Sequence, residues 1–208
     1  LGVDTINKTN FLKKKILEKK INFKFNKKTI LVNYHPVTLE KNSSKNQIKE
    51  ILNALKMCKN INILFTMPNA DHNSKIIYKS ISDFVKKNKN SKVFKSVGSL
   101  KYLSCLKFVD VILGNSSSGL LEAPSLKKVT INIGERQKGR LKAKSVIDCE
   151  PKKIQILKNL RKVLNNKKKF KPKDFKNPYG NGGASKKIVK ILENINYNNL
   201  LKKKFYNI

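Results

Sequence analysis

Residues 109–124 read VDVILGNSSSGLLEAP, and three features in that order decide how the chain folds. Val109 to Leu113 is an apolar, β-branched run with the character of a strand buried on both faces. Gly114-Asn115 and three consecutive serines then supply loop chemistry. Gly119 to Pro124 opens a helical pattern. A buried strand, a short polar loop and a helix form the repeating unit of a parallel α/β sheet.

The same alternation extends in both directions. Strand candidates lie at Ile30–Tyr34, Ile61–Thr66, Val93–Ser96, Val109–Leu113, Val129–Ile133 and Ser145–Ile147. Helical stripes fall between them. One joins Ile48, Ile51, Leu52, Leu55 and Cys58. A second joins Ile77, Ile81, Phe84 and Val85. Leu100, Leu103 and Leu106 form a third, entered through Ser99 as N-cap. Ile154, Leu157, Leu160 and Leu164 follow Pro151, and Ile188, Ile191, Leu192 and Ile195 follow Ser185. A basic helix is expected over Phe11–Lys20. Right-handed crossovers then give an open, Rossmann-like parallel sheet with helices on both faces. The chain divides into a linker with a helix (1–28), the sheet domain (29–165), and a connector with the last helix and tail (166–208). Lys167–Gly183 is a polar connector ending in turn chemistry, and Asn196–Ile208 reads as a frayed tail.

Bulk properties narrow the class. The 208 residues are 39% apolar, enough for one substantial domain or two small ones. No run is long enough to span a membrane and no signal-peptide pattern is present, so the default expectation is a soluble, cytoplasmic protein. The opening Leu1-Gly2-Val3-Asp4 reads as the interior of a longer chain. Cys58, Cys105 and Cys149 are odd in number and far apart, which fits reduced thiols packed as small hydrophobes rather than a disulfide framework or a zinc site. No metal site or cofactor is expected. The formal net charge is +34, but arginine occurs only at 136, 140 and 161. Lysine spread over every helix reads as solvated surface rather than a nucleic-acid site, although it attracts anions over long range.

Ligands of open α/β sheets bind beyond the carboxyl ends of the strands. Five such ends carry polar, small or turn-forming residues: His35-Pro36-Val37-Thr38, Pro68-Asn69-Ala70-Asp71, Val97-Gly98, Asn115 to Gly119, and Gly134-Glu135-Arg136-Gln137. Together they point to one site. The serine loop offers N–H groups, hydroxyls and a helix N-terminus, which suit a phosphate. Gly119 would let the backbone approach it. An N-cap box, with Ser118 capping the helix and the other serines filling a turn, is the alternative; GNSSSG directly behind a buried strand favours phosphate. At Glu122, complementing the helix dipole and accepting ribose hydroxyls both fit. Arg136 and Arg140 stand out where lysine is the rule, whereas Arg161 reads as surface. His35 closes a strand at the crevice and suits a ligand contact or proton transfer. His72 reads as exposed. None of the common phosphate-loop, metalloprotease or Ser/His/Asp patterns occurs.

YHPVTLE (34–40), MPNAD (67–71), GNSSSGLLEAPSLKKVTINIGERQKGR (114–140), SVIDC (145–149) and NPYGNGGAS (177–185) resemble the hydrolysing UDP-N-acetylglucosamine 2-epimerases of sialic- and legionaminic-acid pathways. The resemblance implies the C-terminal domain of a two-domain, glycosyltransferase-B-like fold, with UDP held mainly by this half. It implies that Ser116 and Ser117 contact the diphosphate and Glu122 takes the ribose hydroxyls. Asn69 and Val97 would lie around the nucleotide, Arg136 near the uridine, and His35 against UDP with a possible part in the chemistry. The implied reaction removes the C2 proton, expels UDP and adds water with inversion. Its main acid and base carboxylates are expected outside this chain, so the chain alone should bind UDP without turnover. A homo-oligomer, no cofactor, no nucleic acid and no membrane are implied for the full-length protein. The competing classes are a UDP-sugar glycosyltransferase of the same architecture and a Lys-rich polyanion-binding module.

Overall fold

The structure, a computed structural model, describes residues 1–37, 43–68, 74–166 and 170–196. Six strands form one sheet: β1 (Lys28–Asn33), β2 (Ile61–Thr66), β3 (Ser91–Phe94), β4 (Val111–Gly114), β5 (Val129–Ile133) and β6 (Val146–Cys149). Every pairing is parallel and the order is β3-β2-β1-β4-β5-β6. The helices are α1 (Gly2–Lys8), α2 (Lys14–Ile21), α3 (Ser43–Lys56), α4 (Ser74–Lys87), α5 (Ser99–Phe108), α6 (Ser118–Leu121), α7 (Lys153–Asn165) and α8 (Ala184–Asn194). Short 3-10 turns lie at Pro124–Leu126 and Pro172–Phe175.

The near-continuous apolar strands follow from a sheet covered on both faces, because successive side chains point to opposite sides. On β1, Ile30 and Val32 join the core built with α3, α4 and α7. Leu31 joins the other core, with α2 and α5. β2 repeats this with Ile63 and Phe65 against Leu64, and β4 with Val111 and Leu113 against Ile112. Burying each such aliphatic side chain contributes about 1.5–3 kcal/mol, so both layers are held by the sheet rather than by each other.

Several boundaries differ from the sequence expectation for identifiable reasons. Val109 caps the C-terminus of α5, its N–H donating to the Cys105 carbonyl. The next residue, Asp110, accepts from the Thr29 N–H at 2.5 Å and donates its own N–H to the Thr29 carbonyl at 2.8 Å. The strand therefore starts at Val111. β3 sits two residues earlier than expected, which places Ser96 and Val97 in the loop beyond it. Gly98, not Ser99, is the N-cap of α5, and Leu100 is exposed. The buried face of α7 is Ile156, Leu157, Leu160, Val163 and Leu164, while Ile154 is 75% exposed. The basic N-terminal helix covers Lys14–Ile21 rather than Phe11–Lys20, and α1 precedes it unannounced by any stripe. On α8, Ile188, Ile191, Leu192 and Ile195 are all exposed. A helical period identifies an apolar face but not what covers it.

What fixes α8 is a charge at its start. The buried Asp4 carboxylate of α1 accepts from the Ser185 N–H at 2.7 Å, from the Ser185 hydroxyl at 2.6 Å and from the Gly183 N–H. It supplies from a distant helix what an N-cap residue normally supplies locally. The Ser185 hydroxyl, then the N–H groups, hold this carboxyl down to about 2. A depressed carboxylate stabilises above its unfolded value, near 4, and loses that contribution as pH falls through its folded value. Acidification from about pH 4 to about 2 is therefore expected to undock α8. Asp4→Asn should do so at neutral pH, read as faster amide exchange confined to 184–194. Unchanged exchange in that variant would show that the cap does not hold the helix.

Candidate functional site

Strand order reverses between β1 and β4, and ligands of such sheets bind at this switch point. A cleft of about 600 Å³ opens there, within the size range of small-molecule sites. Four of the five strand ends flagged in the sequence border it; of the fifth, 69–71 lie outside the described residues, and β2 reaches the cleft through residues just before that stretch. β1 contributes Asn33 and His35, β2 Thr66 and Met67, and the loop after β3 Ser96 to Ser99. β4 contributes Ser116 to Ser118 and β5 Arg136, with Glu122 at the side and Gly2 and Thr5 of α1 at the mouth.

The wall around the serine loop is built on close backbone approach. Gly114 ends β4 with φ +144°, and a Cβ there would lie 2.0 Å from the Asn33 carbonyl oxygen of β1. Asn115, fully buried, then bridges the two strand ends. Its Oδ1 accepts from the His35 N–H at 2.7 Å and its Nδ2 donates to the His35 carbonyl at 2.8 Å. Its own carbonyl accepts from Gln137 Nε2 at 2.8 Å and Arg136 Nη1 at 3.1 Å. One amide thus ties the exits of β1, β4 and β5 together.

Six of the seven residues singled out from the sequence border this cleft: His35, Val97, Ser116, Ser117, Glu122 and Arg136. His35 is buried, Val97, Ser116, Ser117 and Glu122 are half-buried, and Arg136 is exposed at the rim. Asn69 lies outside the described residues, as do Asp71 and His72. Arg140 is exposed and away from the cleft lining. The Ser116 and Ser117 N–H groups have no acceptor, and the Glu122 carboxylate no hydrogen-bond donor, among the described residues. A Cβ on Gly2 would stand 3.4 Å from Glu122 Oε1, so α1 begins directly beside that carboxylate. The site therefore presents donors on one side and an unengaged carboxylate on the other. No group of three or more His, Cys, Asp or Glu side chains is gathered for a metal among the described residues.

Two expectations about the loop need correction. α6 is a single turn, too short for a macrodipole of consequence, so the donors are the individual N–H and hydroxyl groups. Ser118 does not cap it: Ser117 holds the N-cap position without a side-chain bond, and the Ser118 hydroxyl accepts from Tyr102 at 2.7 Å. The second concerns Gly119. Its close approach is to β5, where a Cβ would meet Thr130 Cγ2 at 2.6 Å and where the Thr130 hydroxyl donates to the Gly119 carbonyl at 2.8 Å. Gly119 packs the turn onto the sheet rather than exposing backbone to a ligand.

Sequence reasoning missed Asn33, Tyr102 and the α1 residues. Tyr102 lies beside the Leu100, Leu103 and Leu106 stripe of α5 and reads as an aromatic packed against core. The segment NPYGNGG anchors the same wall from outside: Asn177 Nδ2 donates to the Leu121 carbonyl at 2.8 Å and to Ser125 Oγ at 2.7 Å.

The profile of a family described as UDP-N-acetylglucosamine 2-epimerase matches residues 1–193. A Campylobacter jejuni protein named GDP/UDP-N,N'-diacetylbacillosamine 2-epimerase (hydrolyzing) is 40% identical over 217 aligned positions, covering 100% of this chain and 54% of its own length. A Legionella pneumophila protein named UDP-N,N'-diacetylbacillosamine 2-epimerase (hydrolyzing) is 32% identical, covering 93% of this chain and 50% of its own. The chain thus spans about half the length of these curated relatives. Among solved structures, Methanocaldococcus jannaschii UDP-GlcNAc 2-epimerase in complex with UDP-GlcNAc and UDP superposes with TM-score 0.67 at 25% identity, over 92% of this chain and 52% of that one.

Proposed function

This chain belongs to the UDP-N-acetylglucosamine 2-epimerase family, and from that premise we propose that it is the nucleotide-holding half of a hydrolysing 2-epimerase. Residues 29–165 form the UDP-binding domain of a two-domain, glycosyltransferase-B-like protein. The complete enzyme converts UDP-N-acetylglucosamine, or its diacetamido analogue, and water into UDP and free N-acetylmannosamine or its diacetamido counterpart. The observation that carries the reading is the pairing, in one switch-point cleft, of unpartnered Ser116 and Ser117 N–H groups with an unengaged Glu122 carboxylate. Those are complementary to a diphosphate and to a ribose diol. The names of the curated relatives support the hydrolysing branch.

Mechanistically, this half stabilises the leaving group. As the bond from C1 to UDP breaks, charge grows on the diphosphate, and the serine-loop donors are already in place to meet it. Glu122 fixes the ribose, Val97 borders the nucleotide, and Arg136 stands on the uridine side; the family resemblance adds Asn69, which lies outside the described residues. Among the described cleft-lining residues, His35, Tyr102, Glu122 and Arg136 carry ionisable side chains. Burial pushes Tyr102 up to about 12, so it does not remove a proton near neutrality. With Glu122 assigned to ribose, His35 is the described cleft residue we assign to assist proton transfer. The carboxylates that take and return the C2 proton are assigned to the part of the relatives' length beyond this chain.

Calorimetric titration of the chain with UDP tests this. Saturable binding is expected, persisting from low to moderate salt. The double variant Ser116→Ala/Glu122→Ala keeps the backbone N–H groups but removes the Ser116 hydroxyl and the Glu122 carboxylate, and should weaken binding at least about 100-fold, since a hydrogen bond to a charged group is worth about 1.5–3 kcal/mol. No free N-acetylmannosamine should appear from UDP-N-acetylglucosamine. Binding that survives the double substitution yet vanishes with added salt would instead mean that the +34 charge merely gathers anions.

A further inference from the structure

Tyr102 joins the two sides of the switch point through a single oxygen. Its hydroxyl accepts from Asn33 Nδ2 at 3.1 Å and donates to Ser118 Oγ at 2.7 Å. Asn33 is the last residue of β1 and Ser118 the first of α6. All three border the cleft.

The direction of this relay is fixed at its origin. An amide nitrogen only donates, so the Tyr102 oxygen receives from Asn33 and its single proton goes to Ser118. Ser118, having accepted, has one proton of its own left to give. Among the described residues nothing takes it. Ser118 is more buried than Ser116 or Ser117, and the cleft is where an acceptor can stand.

We propose that Tyr102 is a positioning residue whose hydroxyl holds the Ser118 side chain as a third hydrogen-bond donor, aimed at the diphosphate of the ligand. The proposal rests on the nucleotide reading given above and adds to it a residue that does not itself contact phosphate. Chains of this kind polarise one another, so a donor that is itself accepting is a better donor. With the hydroxyl held protonated far above neutrality, the relay does not titrate in the working range.

The test uses the full chain as Tyr102→Phe, Ser118→Ala and the double variant, each titrated with UDP and, by competition, with uridine. Tyr102→Phe keeps the ring in the wall and removes only the bridging oxygen. It is expected to lower UDP affinity about five- to tenfold, the scale of one neutral hydrogen bond, and to leave uridine affinity unchanged. The double variant should be no weaker than Ser118→Ala alone, because both substitutions break one relay. Wild-type UDP affinity in Tyr102→Phe would overturn the proposal. So would equal losses for UDP and uridine, or losses that multiply in the double variant. Amide exchange at residues 116–119 of the free protein keeps the two readings separable. If the wild type binds no UDP, the nucleotide reading fails, and Tyr102 is then judged on exchange alone. Faster exchange in Tyr102→Phe upholds its positioning role, and unchanged exchange overturns it.

Discussion

Gly114→Ala is expected to leave little or no folded protein. The added Cβ would stand 2.0 Å from the Asn33 carbonyl oxygen, 2.6 Å from its carbon and 3.2 Å from its nitrogen. These are backbone atoms in the central strand of the sheet, so no rotamer change relieves the overlap. The φ of +144° adds a conformation that side chains rarely adopt. Overpacking alone costs about 1–3 kcal/mol and backbone strain about 1–3 kcal/mol more. Together these amount to about 2–6 kcal/mol, which reaches the lower end of a small domain's stability, about 5–15 kcal/mol, and an overlap with unyielding backbone atoms lies at the upper end of such costs. Gly139→Ala is the matched control. Its φ is +80° but its surroundings are open, so only the strain remains. Urea unfolding of both variants checks this: a Gly114→Ala midpoint as close to wild type as that of Gly139→Ala would mean β1 and β4 are not so tightly apposed.

The second large effect is expected at Asn115. Asn115→Ala removes the acceptor for the buried His35 N–H and the donor to its carbonyl. Losing a partner at a buried polar group costs about 1–3 kcal/mol, so a loss of about 2–5 kcal/mol is expected in denaturant unfolding. UDP binding should fall with it, because the serine loop and His35 lose their common anchor. Asn115→Asp is more discriminating. It keeps the acceptor but turns an oxygen toward the His35 carbonyl, which only a protonated carboxyl tolerates. Its folded pKa must therefore lie above the unfolded value near 4. A group raised in this way loses stability as pH rises above that unfolded value. The variant should fall further below wild type at pH 8 than at pH 5, and a pH-independent deficit would sink the clamp.

The strands were legible because β-branched apolar runs of four to six residues have few alternative readings in water. Their ends were not, because tertiary partners set them. Asp110 is drawn out of the VDVIL run by Thr29, and Val109 is drawn to the end of α5. The cleft was legible to the extent that its residues directly follow strands: Ser116, Ser117 and Glu122 after β4, His35 after β1, Arg136 after β5. Tyr102 was hidden because an aromatic beside a helix stripe gives the same signal whether its far end meets core or cleft. Asp4 was hidden because an acidic residue near a chain start carries no mark of the helix it will cap so far along the sequence. Gly119 was noticed for the wrong reason, since a glycine in a loop shows that space is short but not which neighbour takes it.

The Asp4–Ser185 contact closes a loop of 181 residues. Closing so long a loop from the unfolded chain is entropically unfavourable, and neither α1 nor α8 has enough buried surface to bring the ends together early. The sheet has to assemble first and carry both ends to the same edge. The contact therefore belongs to the downhill side of the folding barrier, where interactions govern how slowly a structure comes apart rather than how quickly it forms. In kinetic language the pair is expected to act as a latch: α8 docks late and leaves early, and the Asp4 carboxylate lengthens its stay.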